Sequence, residues 1–338
     1  MEPGNTCDPP RLAASEFAGL YLTYACNARC AFCYVYGGPG RGGEMSVDTA
    51  VRVWRELEEL AAAQGVGMRV HLAGGEPCND WPRLLGLLRA AREAGLAPVE
   101  KIETNAGWAT DDGLTRARLE HLNVLGVERL VISCDVFHQE HVPLERVQRC
   151  VRVAREVFGR GRVIVRWWDF LRDPCDVCSM TREQTQAAFV AALGQHPDRL
   201  TGRAAEQLAP LLPGRPAEAF AGENCVAAVL GSRHVHIDAY GHIFPGVCSG
   251  IILGRATPER SVGEVWRELA ANWQQHLVVA ALVRGGSFAL LEHARAAGFC
   301  ERAVGYADKC HLCADVRRWL FERGQWPAWL GPRECYGP

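Results

Sequence analysis

Residues 26–34 read CNARCAFCY and carry three cysteines, Cys26, Cys30 and Cys33, on one short segment. A Cys-x3-Cys-x2-Cys spacing can hold three irons of a [4Fe–4S] cluster, because the thiolates converge on neighbouring corners of the cube. The fourth iron then has no protein ligand and can bind a small molecule. Structural zinc normally takes four ligands, and a disulfide is unexpected on a cytoplasmic-looking chain. The spacing therefore predicts a reactive cluster.

The segment resembles the signature of the radical S-adenosylmethionine superfamily, in which an aromatic residue, here Phe32, precedes the last cysteine. The resemblance implies that the open iron chelates the amino and carboxylate groups of S-adenosylmethionine. One electron from the reduced cluster then cleaves the sulfonium. The resulting 5′-deoxyadenosyl radical abstracts a hydrogen from the substrate.

Gly74, Gly75 and Glu76 follow a predicted buried strand over residues 68–73 (MRVHLA). With Pro77 they resemble the GGEP motif of the superfamily, in which the glycine-rich strand end meets the methionyl amino group. Glycine lets the backbone approach a ligand closely, which gives the motif a physical basis. The resemblance makes Gly74, Gly75 and Glu76 candidate cofactor-binding residues.

Polar residues also belong to the next three predicted strands or follow them. Asn105 follows the third strand as a further candidate, and Ser133 and Asp135 share one face of the fourth, where the resemblance makes them candidates for the ribose hydroxyls. Arg166 in the fifth strand is a candidate for the S-adenosylmethionine carboxylate. His138 could transfer protons after hydrogen abstraction, or could cap or pack a helix. His138 and Arg166 are the candidate catalytic residues.

Strand-like and helix-like segments alternate along the first two thirds of the chain. Strands are predicted at residues 20–25, 68–73, 99–103, 130–134, 163–168 and 199–203. Helices are predicted at residues 46–63, 82–94, 112–125, 143–158 and 181–193, the first with Ser46 as N-cap. The alternation predicts an α/β fold with parallel strands, and the resemblance implies a partial (β/α)6 barrel. The candidate residues then gather at the carboxyl ends of the strands, where barrel enzymes hold their active sites.

A second group of cysteines follows a connector rich in proline, glycine and alanine. Cys225 precedes a hairpin-like run, Cys248 follows it, and Cys310 and Cys313 form a later Cys-x2-Cys pair. This order resembles the SPASM and twitch extensions that hold auxiliary clusters, although six residues, not their usual four, separate Gly241 from Cys248. The further Cys-x5-Cys-x3-Cys of a full SPASM domain is missing. The resemblance thus implies a small twitch-like extension with one auxiliary [4Fe–4S] cluster.

Other uses of these cysteines stay open. The same four thiolates would also suit a zinc ion. Cys300 or Cys335 could replace one of them, because sequence spacing does not fix which thiol reaches the cluster. Cys175 and Cys178, just past the fifth strand, are either a redox pair or cluster ligands at the barrel mouth, or incidental cysteines.

The implied organisation has five parts: an N-terminal segment (1–17), the barrel (18–209), a connector (210–224), the auxiliary-cluster domain (225–318) and a tail (319–338). The net charge of −2 gives no indication of a nucleic-acid surface. No uninterrupted run of about 18 apolar residues exists, so we expect no membrane span. The acidic, proline-rich start does not resemble a secretory signal, and fifteen cysteines are typical of metal ligands in a reducing cytoplasm.

The resemblance fixes the initiating radical step and leaves three classes of substrate. One is a small biosynthetic metabolite that is oxidised or remodelled, with the auxiliary cluster accepting the electron left on the substrate radical. The others are a ribosomally made peptide, disfavoured because fewer than twenty residues precede the first strand, and an enzyme matured by oxidation of one residue. An electron donor such as flavodoxin or ferredoxin is implied. A non-catalytic electron-transfer protein is expected to have damaged cysteine or glycine motifs, and both are intact.

Overall fold

Eight strands form one mixed sheet in the computed structural model, which describes residues 10–337. The strands are β1 (Phe17–Tyr21), β2 (Arg69–Ala73), β3 (Lys101–Thr104), β4 (Arg129–Ser133), β5 (Val163–Arg166), β6 (His234–Ile237), β7 (His242–Pro245) and β8 (Gly254–Arg255). Their order is β5-β4-β3-β2-β1-β6-β7-β8. Strands β1 to β6 pair in parallel, whereas β7 and β8 are antiparallel.

Helices connect the parallel strands and follow the sheet. They are α1 (Val47–Ala63), α2 (Trp81–Glu93), α3 (Asp112–Val124), α4 (Val136–Gln139), α5 (Leu144–Phe158), α6 (Asp169–Arg172), α7 (Arg182–Gln195), α8 (Arg203–Gln207), α9 (Val226–Val229), α10 (Val262–Asn272), α11 (Leu277–Ala296) and α12 (Lys309–Glu322). The five predicted helices agree with α1, α2, α3, α5 and α7 to within two residues at each end. The predicted α/β class and partial barrel are confirmed, because the mostly parallel sheet is not closed by hydrogen bonds.

Local sequence signals explain where these helices begin. Ser46 is the N-cap of α1, and its side chain accepts a hydrogen bond from Thr49 N. Thr181 and Gln184 form a capping box at the start of α7. On α1, Trp54 and Leu57 are fully buried, so the apolar side of the helix supplies the barrel's core packing.

Strand β1 ends earlier than the predicted segment 20–25, because the chain leaves the sheet after Tyr21. Thr23 forms an isolated bridge with Glu44, and Ala25 forms one with Gly38. The chain beyond β1 therefore folds back on itself to make the cysteine-bearing loop. The sequence pattern predicted the extended backbone of this segment. It did not predict that Thr23 and Ala25 would pair with the loop that follows and not with a strand of the sheet.

The predicted sixth strand at residues 199–203 is wrong. The structure has no strand there, and Arg203 instead begins the short helix α8. The sixth parallel strand is β6, which lies beside β1 with Phe17 paired to His234 and Gly19 to His236. The hairpin of the predicted auxiliary domain thus continues the barrel's own sheet, while the domain boundaries stay a prediction.

Helix α11 is long and apolar enough to cross a membrane by length and composition, with a mean hydropathy of 1.4 over its most apolar window. In the structure 61% of that window is buried inside the protein. The helix is broken at Gly285 and Gly286, which have non-helical backbone angles. Cys225 N donates to Leu282 O just before this break, so α11 holds the start of the second cysteine group.

Three histidines lie on one face of the sheet near the start of β1. His71 and His236 both pair in register with Gly19, and His234 pairs with Phe17. Burial lowers the pKa of His234 to about 3 and lowers that of His236 well below its ordinary value. Both imidazoles are therefore uncharged at neutral pH.

We expect Gly286→Ala to lower the free energy of unfolding by more than about 2 kcal/mol. Gly286 has φ 65°, and a Cβ there would lie 1.9 Å from Glu223 O, so the segment before Cys225 would have to move. Urea unfolding of the variant measures the loss. The control is Gly263→Ala near the start of α10, where a Cβ meets nothing within 4 Å and we expect a change below about 1 kcal/mol. Equal stability of the two variants would contradict this packing.

Candidate functional site

An open cavity lies at the carboxyl ends of the first five strands. We call it the cysteine-loop cavity. It is lined by the three loop cysteines and by polar residues from the ends of β2 to β5. Nine of the predicted site residues lie in its wall: Cys26, Cys30, Cys33, Gly74, Gly75, Asn105, Ser133, His138 and Arg166.

The glycines after β2 let this segment pack directly against the start of the cysteine loop. Gly75 N donates to Thr23 O at 2.6 Å, and Glu76 N donates to Ala25 O at 2.9 Å. A Cβ on Gly75 would lie 2.0 Å from Ala25 O, and Gly74 has φ 119°. Side chains at these positions would push the loop away from the sheet, because neither the space nor the backbone angle accommodates them.

Backbone and side-chain nitrogen donors face the sulfur atoms of Cys26 and Cys33. Ala28 N donates to Cys26 Sγ at 3.4 Å, and Gly37 N donates to Cys33 Sγ at 3.1 Å. Asn105 Nδ2 lies 3.5 Å from Cys26 Sγ. Burial raises the pKa of the Cys26 and Cys33 thiols, so without a cation they stay protonated. A metal centre would displace those protons, and the N–H donors would stabilise the thiolates.

Glu76 lies behind the cavity wall, with only 1% of its surface exposed. Its carboxylate accepts hydrogen bonds from Asn105 N at 2.7 Å, Thr104 Oγ1 at 2.8 Å and Cys78 N at 3.0 Å. Burial raises the pKa of Glu76, while these donors act in the opposite direction. In this structure the carboxylate fixes the backbone beside Asn105, which itself reaches the cavity.

Asp135 is also buried behind the wall and caps α4. It accepts from His138 N at 3.0 Å, and its carboxylate lies 2.8 Å from His138 Nδ1. Burial acts to lower the pKa of His138, but Asp135 and then Cys30 raise it well above its ordinary value. Asp135 shows the complementary shift, a lowered pKa. The pair is therefore ionic at neutral pH, and His138 presents a positive charge to the cavity.

Arg166 brings a second positive charge to the cavity wall. Its guanidinium pairs with Asp198 at 2.9 Å and lies 5.6 Å from the ring centre of Phe32. Glu103 also lines the cavity, although its sequence context suggested no role. Burial acts to raise its pKa, but His71 and Lys101 lower it well below its ordinary value. Its position at the end of β3 is the signal that could have identified it.

Arg203 clamps the cysteine loop from the opposite side. Its guanidinium donates to Cys30 O at 2.9 Å and to Gly37 O at 2.7 Å, and its backbone N donates to Cys33 O at 2.8 Å. The side chain is buried. This residue lies in the segment that we predicted as a sixth strand. No local pattern marks it as a loop clamp, because its partners lie about 170 residues away in sequence.

A second cavity, of about 300 Å³, brings together the later cysteines. We call it the auxiliary cavity. Its wall contains Cys225, Cys248, Cys310 and Cys313, the four thiols of the predicted auxiliary cluster. The last two face it together because they lie three residues apart on the first turn of α12.

Three cations surround these thiols: Arg199, Lys309 and Arg317 all line the auxiliary cavity. Arg199 Nη1 lies 3.8 Å from Cys248 Sγ. Arg317 is 4% exposed and donates to Ser249 O at 3.0 Å. Such surroundings favour a negatively charged group, which four thiolates with a bound cluster or zinc ion would form.

The other cysteines of the described chain lie elsewhere. Cys300 is exposed, and Cys335 is buried beside Tyr24, whose hydroxyl lies 3.7 Å from its sulfur. Cys178 Sγ contacts the backbone carbonyl of Gln139 at 3.6 Å, and Cys175 is half-buried. Neither the pair at 175 and 178 nor Cys300 or Cys335 contributes to the lining of the two cavities. Cys7 lies outside the described residues.

We expect Glu76→Gln to cost about 1–3 kcal/mol of folding free energy, because the amide presents an N–H to backbone N–H groups that need an acceptor. Urea unfolding measures this loss. Glu93→Gln, at an exposed position on α2, is the matched control and should be close to neutral. A Glu76→Gln variant as stable as the control would show that the carboxylate does not hold the end of β3.

Residues 20–169 match the family model described as the Radical SAM superfamily. No curated protein matches the chain. Among solved structures, a hexahistidine-tagged anSMEcpe with bound AdoMet is similar with a TM-score of 0.43 at 10% identity, covering 92% of this chain and 94% of that chain. Native anSMEcpe with bound AdoMet and a peptide has a TM-score of 0.39 at 12% identity, covering 92% of this chain and 98% of that chain. The matched segment contains the cysteine loop and strands β2 to β5.

Proposed function

We propose that this chain is a radical S-adenosylmethionine enzyme whose reaction takes place in the cysteine-loop cavity. The match to the Radical SAM superfamily implies a [4Fe–4S] cluster and S-adenosylmethionine, and the residues of the cavity wall fit both. Within the described residues, the cavity wall contains Cys26, Cys30 and Cys33 and no other cysteine. Three thiolates satisfy three irons and leave one iron for the nucleotide. This three-thiol wall is the observation that carries the proposal.

When bound, the cluster and S-adenosylmethionine supply a 5′-deoxyadenosyl radical that removes a hydrogen atom from the substrate. The chain's own residues bind and orient. Gly74 and Gly75 keep the wall free of side chains, and Arg166 offers a charge to the nucleotide's carboxylate. Asn105 and Ser133 offer hydrogen-bonding groups. His138, held by Asp135, would serve as a fixed positive charge. It could act as a base only after losing its proton.

The auxiliary cavity is proposed to hold one further [4Fe–4S] cluster on Cys225, Cys248, Cys310 and Cys313. A cavity of about 300 Å³ among four thiols exceeds what a single zinc ion requires, which favours a cluster. The cationic residues Arg199 and Lys309 would balance its charge. A cluster there supplies a one-electron acceptor, which makes the net reaction a two-electron oxidation.

A small biosynthetic metabolite is the proposed substrate. The cysteine-loop cavity must also contain the cluster and the nucleotide, so it suits a small molecule or one side chain of a larger substrate. A peptide or a protein side chain is the alternative under the same geometry. The electron donor is proposed to be a flavodoxin or ferredoxin of the cytoplasm.

Replacing Cys30 with alanine should abolish the formation of 5′-deoxyadenosine from S-adenosylmethionine under reducing conditions. The variant should lose about four irons per chain and retain the absorbance of the auxiliary cluster. Iron analysis and chromatography of the nucleoside products measure both effects. Cys150→Ala, at a buried thiol on α5 outside both cavities, is the control and should cleave normally. Undiminished cleavage by the Cys30 variant would overturn the proposal.

Replacing Cys310 with alanine should leave 5′-deoxyadenosine formation measurable and stop formation of the oxidised product. Cys300→Ala removes an exposed thiol outside the cavity and should change neither. Metal analysis of the purified wild type should give about eight irons per chain, the sum of two four-iron clusters. About four irons and one zinc ion would assign zinc to the auxiliary cavity and refute its role as an electron acceptor.

A further inference from the structure

Apart from the cysteines, the strongest cluster of metal-binding side chains among the described residues lies on the sheet face near the start of β1. It consists of His71 on β2 with His234 and His236 on β6, and one ligand atom from each lies within 4.8 Å of the other two. His71 and His236 are 1% exposed, and His234 is half-buried. We call it the tri-histidine cluster.

The Nε2 atoms of the cluster face one another. His71 Nε2 lies 3.1 Å from His234 Nε2. A Cβ on Gly19 of β1 would lie 2.2 Å from His71 Nε2 and 2.6 Å from His236 Nε2, so both nitrogens reach over this glycine. Glycine at this position leaves the space between the imidazoles free, and any other residue would fill it.

Two of the three opposite ring nitrogens lie beside a carbonyl or a carboxylate oxygen. His236 Nδ1 lies 2.6 Å from Gly246 O, a carbonyl that can only accept, so the proton is on Nδ1 and the lone pair is on Nε2. His71 Nδ1 lies 3.2 Å from a carboxylate oxygen of Glu103. Carboxylate and carbonyl partners of this kind orient imidazoles toward a metal and increase their basicity.

We propose that His71, His234 and His236 bind a divalent transition-metal ion through their Nε2 atoms, with zinc as the first candidate. Zinc–nitrogen distances of about 2.0–2.1 Å place tetrahedral ligands roughly 3.4 Å apart, close to the 3.1 Å between His71 and His234. Glu103 provides a nearby carboxylate. The second partner of Glu103 is Lys101, whose Nζ lies 2.7 Å from the carboxylate and neutralises part of its charge. The metal ion would therefore be bound mainly by the histidine nitrogens.

The site would join β2 to β6 across β1. Strand β6 opens the hairpin that leads to Cys248, so the metal would fasten the auxiliary unit to the barrel. Phe17 closes the cluster on one side, with its ring centre 4.6 Å from those of His71 and His234. A metal with this role stabilises the folded chain, because the unfolded chain does not hold the three imidazoles together.

The experiment uses the full-length protein, purified anaerobically, incubated with zinc chloride and freed of excess metal. Zinc K-edge X-ray absorption should show one zinc per chain with nitrogen scatterers at about 2.0–2.1 Å and the multiple scattering of imidazole. Zinc bound by cysteines instead gives scatterers at about 2.3 Å, which separates the two sites. Added zinc should also raise the melting temperature.

His71→Gln and His234→Gln should each weaken the nitrogen-coordinated zinc by more than about tenfold and remove its effect on melting. His121→Gln, at an exposed position on α3, is the matched control and should retain both. Iron content and circular dichroism report whether each variant folds. If a variant unfolds, the zinc X-ray absorption spectrum of the wild type alone tests the proposal. Wild-type protein with only sulfur-coordinated zinc, or variants that keep the nitrogen-coordinated ion, would overturn the proposal.

Discussion

The direct contact between the glycines after β2 and the backbone before the first cysteine is the constraint on which the site depends. Gly75 N and Glu76 N donate to the carbonyls of Thr23 and Ala25, and a Cβ on Gly75 would lie 2.0 Å from Ala25 O. The cysteine loop is thereby fixed to the sheet without an intervening side chain. The cavity is formed where this contact brings the loop next to the ends of β3, β4 and β5.

A second constraint links this loop to the auxiliary cavity. The segment 198–203 contains Asp198, which pairs with Arg166, then Arg199, which contacts Cys248, and finally Arg203, which clamps the cysteine loop. Three successive polar contacts therefore join the walls of both cavities. Because β6 also pairs with β1, the two cysteine groups belong to one continuous framework.

The sequence was most informative where chemistry depends on local spacing or on the period of buried residues. The cysteine spacing, the glycines at positions 74 and 75 and the helices capped by Ser46 and Thr181 all depend on neighbours within a few residues. Contacts between distant segments could not be derived in this way. Arg203 was predicted to lie in a strand. Its contact with the cysteine loop could not be predicted, because the carbonyls that it binds lie about 170 residues away in sequence.

The same limit explains the tri-histidine cluster. His71 lies some 160 residues before its partners, and only the parallel pairing of β6 with β1 brings the three together. The predicted sixth strand at residues 199–203 contains none of the three histidines and gave no indication that they meet. Glu76 illustrates a different difficulty, because its motif made it a candidate cofactor-binding residue, whereas its carboxylate accepts hydrogen bonds from backbone donors behind the wall.

The central claim is that three thiolates leave one iron open to a sulfonium nucleotide. Electron–nuclear double resonance of the reduced protein with S-adenosylmethionine, labelled with ¹⁷O in its carboxylate and ¹⁵N in its amino group, tests it most directly. The account predicts hyperfine coupling of both nuclei to the cluster, which the Cys30→Ala variant should lose. A wild-type cluster whose spectrum is unchanged by the labelled nucleotide would contradict it.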